Sequence, residues 1–322
     1  ALQPLGLLIE EQRTNLLTRS SNVADVAWSK AACTASPAGS SPWGLPAEKI
    51  TPVAGAGNHF YGQTAGFAGA VDNGVFSLSI CIKADGYNHF HIQGKTKSDL
   101  YPAANVDLAA GTITLLNASG SATASIEPLS GGWYLCSLSW SVLTGAQPLG
   151  LFLTPKPTAM SSVSFTADGV SGALVSGHQL EPASVKSSHI PTEGSQVTRA
   201  ADVCSVNTLS PWYNASEGTL VLSGIKYDAS SGLGNVVAID DGTANNRIQL
   251  RHTGTTSGSA LVLSGGVAQA GTFTSSAGSW PTGVQKRMAL SYRANDFAFS
   301  LGGSSPLTDS TGVVPTVSRL VI

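Results

Sequence analysis

The sequence predicts an all-β protein, two antiparallel β-sandwich (jelly-roll) domains in tandem, and three observations carry that prediction. Apolar residues recur at every second position in runs of strand length. The runs are separated by clusters of Gly, Pro, Asn and Ser, in a chain with 36 glycines and 16 prolines, and these residues supply turns. No amphipathic helix interrupts the pattern beyond a turn near residues 22–30. At 322 residues the chain is long enough for two cores of ordinary size. The expected division is a first domain over 1–195, a linker over 196–215 and a second domain over 216–322.

In chain order, the first element is the apolar run Gly6-Leu7-Leu8-Ile9, stopped by the charged turn Glu10-Glu11-Gln12-Arg13-Thr14-Asn15 before Leu16-Leu17. A globular core does not require such an interruption. In Val75–Ile82, Phe76, Leu78, Ile80 and Ile82 fall on one face and Ser77 and Ser79 on the other, as in a half-buried antiparallel strand. Tyr87–Gln93 alternates in the same way, with Phe90 and Ile92 toward the core. The uncharged stretch Pro128–Pro155 is cut by Gly131, Gly132, Gly145 and Pro148 into two strands and a turn, which excludes a helical membrane span there. Within it Tyr134, Cys136, Leu138, Trp140 and Val142 point inward and the serines outward. A closing segment follows: Gly177-His178-Gln179-Leu180-Glu181-Pro182, then Ser188-His189-Ile190-Pro191-Thr192, then Val197-Thr198-Arg199-Ala200-Ala201-Asp202. Alternation lapses from Glu193 to Trp212 and resumes at Glu217–Ile225, Asn246–Arg251 and Lys286–Tyr292, the last leading through Asn295-Asp296 into Phe297–Gly303. The final Leu320-Val321-Ile322 is expected to be an open edge that invites pairing with another chain.

Charged residues are 11% of the chain and the net charge is −2, against roughly 25% charged residues in ordinary soluble domains. Nucleic acid and acidic membrane surfaces need clustered Lys and Arg, so neither is an expected partner. Cys33, Cys81, Cys136 and Cys204 lack metal-ligand spacing and are too few for a disulfide framework. Buried free thiols in a reducing compartment are the expectation, with a Cys81–Cys136 bridge across strands as the alternative.

The opening Gly6–Leu17 and closing Gly177–Asp202 motifs resemble the two ends of a module common in tailed-phage fibre and minor tail proteins and in related virion spikes. Residues 216–322 resemble a laminin-G or concanavalin-A-like sandwich, so the resemblance covers nearly the whole chain. It implies a protein of the virion surface, assembled in the bacterial cytoplasm among other virion proteins. It also implies a homo-oligomer, with three as the number of subunits. The second-half likeness implies a further returning strand after Val317–Ile322, so completion of the sheet by a neighbour, or a shortened variant, is expected. The first module is also similar to jelly-roll carbohydrate-binding modules, with Asn15-Leu16-Leu17, Asn22 and Trp28 at its opening and Gln179-Leu180-Glu181 at its closing. Many such modules hold a structural calcium near these termini. Here His178 stands where an aspartate would make that case, and no cofactor is expected.

Sugar recognition combines aromatic faces, which stack on C–H-rich pyranose surfaces, with planar polar groups for the hydroxyls. By period two, Tyr87, His89, His91 and Gln93 line the face opposite Phe90 and Ile92, and Lys95 continues the row. These four residues and Tyr101 form the candidate carbohydrate site, with Trp43 and the cluster Asn58-His59-Phe60-Tyr61 as candidates to stand beside it. The same side chains suit packing under a loop or against a subunit equally well. Two histidines at i and i+2 can hold a metal, but without a third ligand in view no metal site is expected. Trp28, Trp133 and Trp140 read as core, and Trp212 and Trp280 as loop or interdomain anchors. The acids are scattered, with Asp240-Asp241 and Asp296 in turns and Glu48, Glu127 and Glu181 unpaired in sequence. A glycosidase needs two facing carboxylates, and no nucleophile elbow, zinc motif or phosphate loop is present. The expected function is therefore a non-catalytic adhesin for host cell-surface polysaccharide, capsule or lipopolysaccharide. A structural virion spacer without a ligand and a capsule depolymerase are the alternatives.

Overall fold

The period-two runs form strands joined in antiparallel ladders, in a computed structural model that describes residues 6–63, 74–95, 101–141, 150–226, 233–254 and 256–322. Among the described residues there is no α-helix, and one 3-10 turn lies at Ser130–Gly132. The chain divides into one unit of Gln12–Ala200 and another that joins the residues up to Glu11 to Ala201–Ile322. The chain thus divides between Glu11 and Gln12, inside the 1–195 span, as well as between Ala200 and Ala201, inside the 196–215 stretch. That stretch is partly sheet: Val197–Arg199 pairs with Arg13–Asn15 in the first unit, and Ser205–Val206 pairs with Arg319–Val321 in the second.

The unit Gln12–Ala200 is built on two six-stranded sheets. One runs Thr112–Asn117, Ala103–Asp107, His89–Lys95, Gly150–Lys156, Phe60–Gly62, Ser29–Ala31. The other runs Thr123–Pro128, Trp133–Ser141, Val75–Asp85, Gly172–Glu181, Pro46–Pro52, Cys33–Ser40. Their inner faces share one core: Phe76, Leu78, Ile80, Ile82, Cys136, Leu138 and Trp140 from the second sheet meet Tyr61, Phe90, Ile92, Val106, Leu151 and Leu153 from the first. The expected inward sets are found there, apart from Val142, which lies outside the described residues. The serine face was expected to meet water and does not. Ser77, Ser79, Ser137 and Ser139 are buried, with Ser139 Oγ donating to Ser77 Oγ at 3.0 Å and Ser125 and Ser137 hydroxyls 2.7 Å apart. The cause is long-range, because the closing segment folds back over this side of the sheet. Ser187 donates through N and Oγ to the buried Glu181 carboxylate, and Lys186 pairs with Glu127 at 2.9 Å.

The Cys81–Cys136 bridge is excluded by register. Cys136 lies opposite Ile80 and Cys81 opposite Leu135, so the two thiols project from opposite faces. All four cysteines are free, and burial pushes the Cys81 and Cys33 thiols up to about 12.

The opening and closing motifs meet in a buried clasp. Thr14 and Thr198 hydroxyls are 2.8 Å apart across the short ladder, and the neighbouring Asn15 is fully buried. Its amide nitrogen donates to the His178 and Ile190 carbonyls at 3.2 and 2.9 Å, while its oxygen accepts from Leu17 and Leu180 N–H at 3.1 Å each. A single carboxamide so satisfies four backbone groups that burial would otherwise leave costly. A second knot lies alongside, where Thr192 N donates to Ser20 Oγ at 2.9 Å and Gln179 Oε1 accepts from Ile190 N at 2.5 Å. Gly177 resets the strand phase: its φ of +61° sits where the register slips between Ser176 and Gln179, a conformation that favours glycine. The slip turns His178 into the core, where Nδ1–H donates to Ser20 O at 3.0 Å and Nε2 accepts from the Tyr61 hydroxyl at 3.0 Å. Trp28 packs on that imidazole at 4.7 Å. The side chain at the position doubtful for calcium is therefore a structural core group. Among the described residues no group of three or more His, Cys, Asp or Glu is placed to hold a metal.

In the second unit a six-stranded sheet, Ser205–Val206, Arg319–Val321, Leu233–Asp240, Arg247–Thr253, Ser257–Ser264, Val267–Ser279, accompanies a four-stranded one. The latter runs Glu217–Ile225, Gln285–Arg293, Asp296–Leu301, Leu307–Asp309. Ile248, Leu250, Val262, Leu290, Phe297 and Phe299 form its core, and Asn295 at φ +60° makes the expected hairpin turn. Two expectations are corrected here. Arg319–Val321 is an interior strand between Ser205–Val206 and Leu233–Asp240, so the segment expected as an open edge is covered on both sides by its own chain. Trp280 is a core residue, 3% exposed, with Nε1 donating to Val284 O at 3.1 Å, whereas Trp212 is 52% exposed.

Removing the Asn15 carboxamide strands four buried backbone groups, and Asn15→Ala is expected to destabilise the first unit by about 2–4 kcal/mol in denaturant unfolding of the full chain. A loss below about 0.5 kcal/mol would show that the clasp is not structural. The second expectation concerns acid. Burial, followed by the proximity of His189, holds His178 down at about 3, against 6.5 for a free imidazole. As pH falls, the unfolded chain takes up this proton first. The contribution is complete above pH 6.5 and is lost progressively between 6.5 and about 3, with a limiting slope of about 1.4 kcal/mol per pH unit. Replacing the titrating group in His178→Asn should flatten the stability–pH curve in that window, and a slope identical to the wild type contradicts the assignment.

Candidate functional site

The face predicted from Tyr87–Gln93 is the outer face of the sheet containing His89–Lys95. Alternation places His89, His91 and Gln93 there, opposite Phe90 and Ile92, which are fully buried in the core. The register adds a row from the adjacent strand: Phe152 lies opposite Gln93, Thr154 opposite His91 and Lys156 opposite His89. On the other side Asn105 lies opposite His91.

The five predicted residues do not share one environment. Tyr87 is 7% exposed, because the strand Ser164–Ala167 brings Phe165 onto it at a ring distance of 6.3 Å and Asp168 N donates to its hydroxyl at 3.2 Å. The regular strand begins only at His89, and Tyr87 packs with Phe165, Ala167 and Met160. His91 is fully buried, not exposed as expected. His89, Gln93 and Tyr101 are half-buried. The side chain of Lys95 lies outside the described set.

His91 is covered by the chain that follows Gly150–Lys156. Lys156, itself fully buried, donates to the Met160 and Ser162 carbonyls, the latter at 3.3 Å, and approaches His91 Nδ1 at 3.4 Å. An ammonium can only donate, so His91 Nδ1 accepts and Nε2 carries the proton. That proton goes to Gln93 Oε1 at 2.9 Å. Burial first, then the Lys156 charge, holds the imidazole at about 4, and burial lowers Lys156 to about 8. The relay from Lys156 through His91 to Gln93 occupies the amide oxygen and leaves the Gln93 NH₂ as the outward donor. Beside it Asn105 donates to His89 Nδ1 at 3.2 Å, and its buried Oδ1 has no hydrogen-bond partner among the described residues.

Aromatic rings complete the face. Phe60 and Phe152 meet edge-on at 5.0 Å, Tyr101 meets Phe152 at 6.3 Å, and all three rings are half-buried. Phe60 and Tyr101 thus each meet Phe152. Phe152 escaped the sequence reading because it lies in an uncharged run, although the alternation Phe152-Thr154-Lys156 carried the signal. The other neighbours proposed from sequence go elsewhere. His59 is buried with both ring nitrogens on backbone carbonyls, Tyr61 is core, and Trp43, 39% exposed, stacks on His189 at 5.8 Å.

The scattered carboxylates hold structure. Glu48 accepts from Val23 and Ala24 N–H, Glu181 from Ser187, Asp240 pairs with Arg319 at 2.6 Å, and Asp296 pairs with Arg293 at 2.6 Å.

The buried relay generates its own test. Lys156→Met keeps the length of the stem but strands the Met160 and Ser162 carbonyls, and the expected cost is about 1–3 kcal/mol in thermal or denaturant unfolding. Unchanged stability would mean that the lysine does not bond these groups.

No protein-family model and no curated protein sequence matches the chain. Among solved structures, it is similar to the mouse laminin alpha1 chain, domains LG4-5, at 11% identity and a TM-score of 0.25, covering 100% of this chain and 84% of that one. It is also similar to the LG1-3 region of the laminin alpha2 chain, at 12% identity and a TM-score of 0.28, covering 81% of this chain and 58% of that one.

Proposed function

We propose that this chain is a non-catalytic adhesin of a bacteriophage fibre or spike, which binds host cell-surface polysaccharide through the outer face of the sheet containing His89–Lys95. The observation that carries the reading is the group of half-buried rings Phe60, Phe152 and Tyr101 beside Gln93, whose oxygen is already engaged by His91. Rings of this kind stack on the apolar face of a pyranose, and a fixed amide donor meets a hydroxyl or ring oxygen. His89 adds a second polar edge, while His91 supports Gln93 from beneath. The phage assignment draws on the likeness of the opening and closing motifs. The structural employment of Glu48, Glu181, Asp240 and Asp296 favours binding over hydrolysis.

A glycan array of bacterial surface polysaccharides tests the reading. The full chain is expected to bind at least one, without release of reducing ends. Phe152→Ala and Tyr101→Ala should each weaken that binding about fivefold, the equivalent of one stacking contact of about 1 kcal/mol, with the melting temperature retained. Wild-type binding to no glycan would favour the spacer function, and release of reducing ends would favour a depolymerase. Folded variants that bind as well as the wild type would move the site off this face.

A further inference from the structure

In the second unit, the end of the four-stranded sheet carries an open hollow of about 510 Å³ lined by Ser223, Gln285, Lys286, Arg287, Gly302 and Gly303, a size that suits a small ligand. Strand register builds it: Ser223 lies opposite Arg287 and Gly224 opposite Lys286, and Gly302 N donates to Arg287 O at 2.8 Å on the other side. Successive strand residues point to opposite faces, and Lys286 shares the side of the buried Met288 and Leu290. A bare turn brings its charge to the hollow. Gly302 and Gly303 adopt φ of +64° and +82°, and a Cβ on Gly302 would sit 3.6 Å from Lys286 Nζ. The ammonium therefore lies against the glycine that lines the floor. Gln285 Nε2 donates to Ser223 Oγ at 3.1 Å, so the Ser223 hydroxyl hydrogen and the Gln285 oxygen remain for a ligand.

The charge here is not internally balanced. Arg293 pairs with Asp296 and Glu217, Arg319 pairs with Asp240, Arg251 bonds Ser259 and Arg247 bonds Ala244 O. Lys286 and Arg287 have neither an ion pair nor a side-chain hydrogen bond among the described residues, and no carboxylate lines the hollow. In a chain with 11% charged residues, two adjacent unneutralised cations around a glycine notch form a receptor for an anion.

We propose that this hollow is a second binding site, which takes the anionic group of an acidic saccharide, a carboxylate or a sulfate ester, between Lys286 and Arg287 while Ser223 and Gln285 meet neighbouring hydroxyls. The inference rests on the carbohydrate reading above and names a different surface for it.

The test is calorimetric titration of the full chain with trigalacturonate and with a sulfated trisaccharide, and with maltotriose as the neutral control. Binding of either anion that weakens on raising salt is expected, and which of the two binds identifies the anionic group. Lys286→Gln and Arg287→Gln should each weaken it about fivefold or more, Arg287→Lys should retain most of it, and Phe152→Ala should leave it intact. Absence of binding to both anions, binding indifferent to salt, or folded glutamine variants that bind as the wild type would overturn the proposal. Loss in Phe152→Ala with Lys286→Gln unaffected would also overturn it while leaving the aromatic face in place. Should the glutamine variants misfold, protection of wild-type Lys286 from amine acylation by the bound anion decides, with no protection counting against the site.

Discussion

The carboxamide of Asn15 ties the opening segment to the closing strand and to the return segment just beyond it, because each of its four hydrogen bonds goes to the backbone of a different residue, Leu17, His178, Leu180 or Ile190. A buried amide in this position is costly unless fully satisfied, so the opening strand, the closing strand and the return segment must all be in place together. That requirement accounts for the two motifs that frame the first unit. Arg13–Asn15 and Val197–Arg199 pair at its margin, the Ser20–Thr192 knot closes the next turn, and Gln196 donates to Leu16 O at 3.0 Å. The motif residues hold structure, and the proposed ligand face lies elsewhere.

Packing links the clasp to that face. His178 bonds Tyr61 from inside the core, and Tyr61 lies opposite Leu153 in the ladder. The residues that precede these two partners, Phe60 and Phe152, are the rings that meet on the outer side of the same sheet. Strand alternation makes the inward and outward positions inseparable: a shift of one residue in either strand would exchange a core residue for a surface ring. The aromatic face is thus held by core contacts on the opposite side of its own strands, and His91 and Lys156 steady the polar edge by a buried relay.

Strands with one apolar face were legible in the sequence, as in Val75–Ile82 and Trp133–Trp140, because period two directly encodes which side is buried. The covering of the other side was not. Ser77 and Ser139 read as solvent-facing, and what buries their face is a return segment far along the chain. His91 was placed on the correct side of its strand, yet its burial comes from Lys156, 65 residues later. Tyr87 is buried for the same kind of reason, because Phe165 and Asp168, from a later strand and its end, close over it. The interior position of Arg319–Val321 depends on Ser205–Val206, two residues whose pattern has no strand signature. Local periodicity reports a strand's own faces, and long-range pairing decides which of those faces meets water.

Side-chain NMR of the full chain, with labelled Phe, Tyr and Gln, titrated with the glycan selected by array, separates binding at the aromatic face from binding elsewhere. Perturbation of the Phe60, Phe152 and Tyr101 ring resonances and of the Gln93 NH₂ is expected, with the core ring of Phe90 unmoved. Saturable binding that leaves those three rings and that amide unshifted would contradict binding at this face.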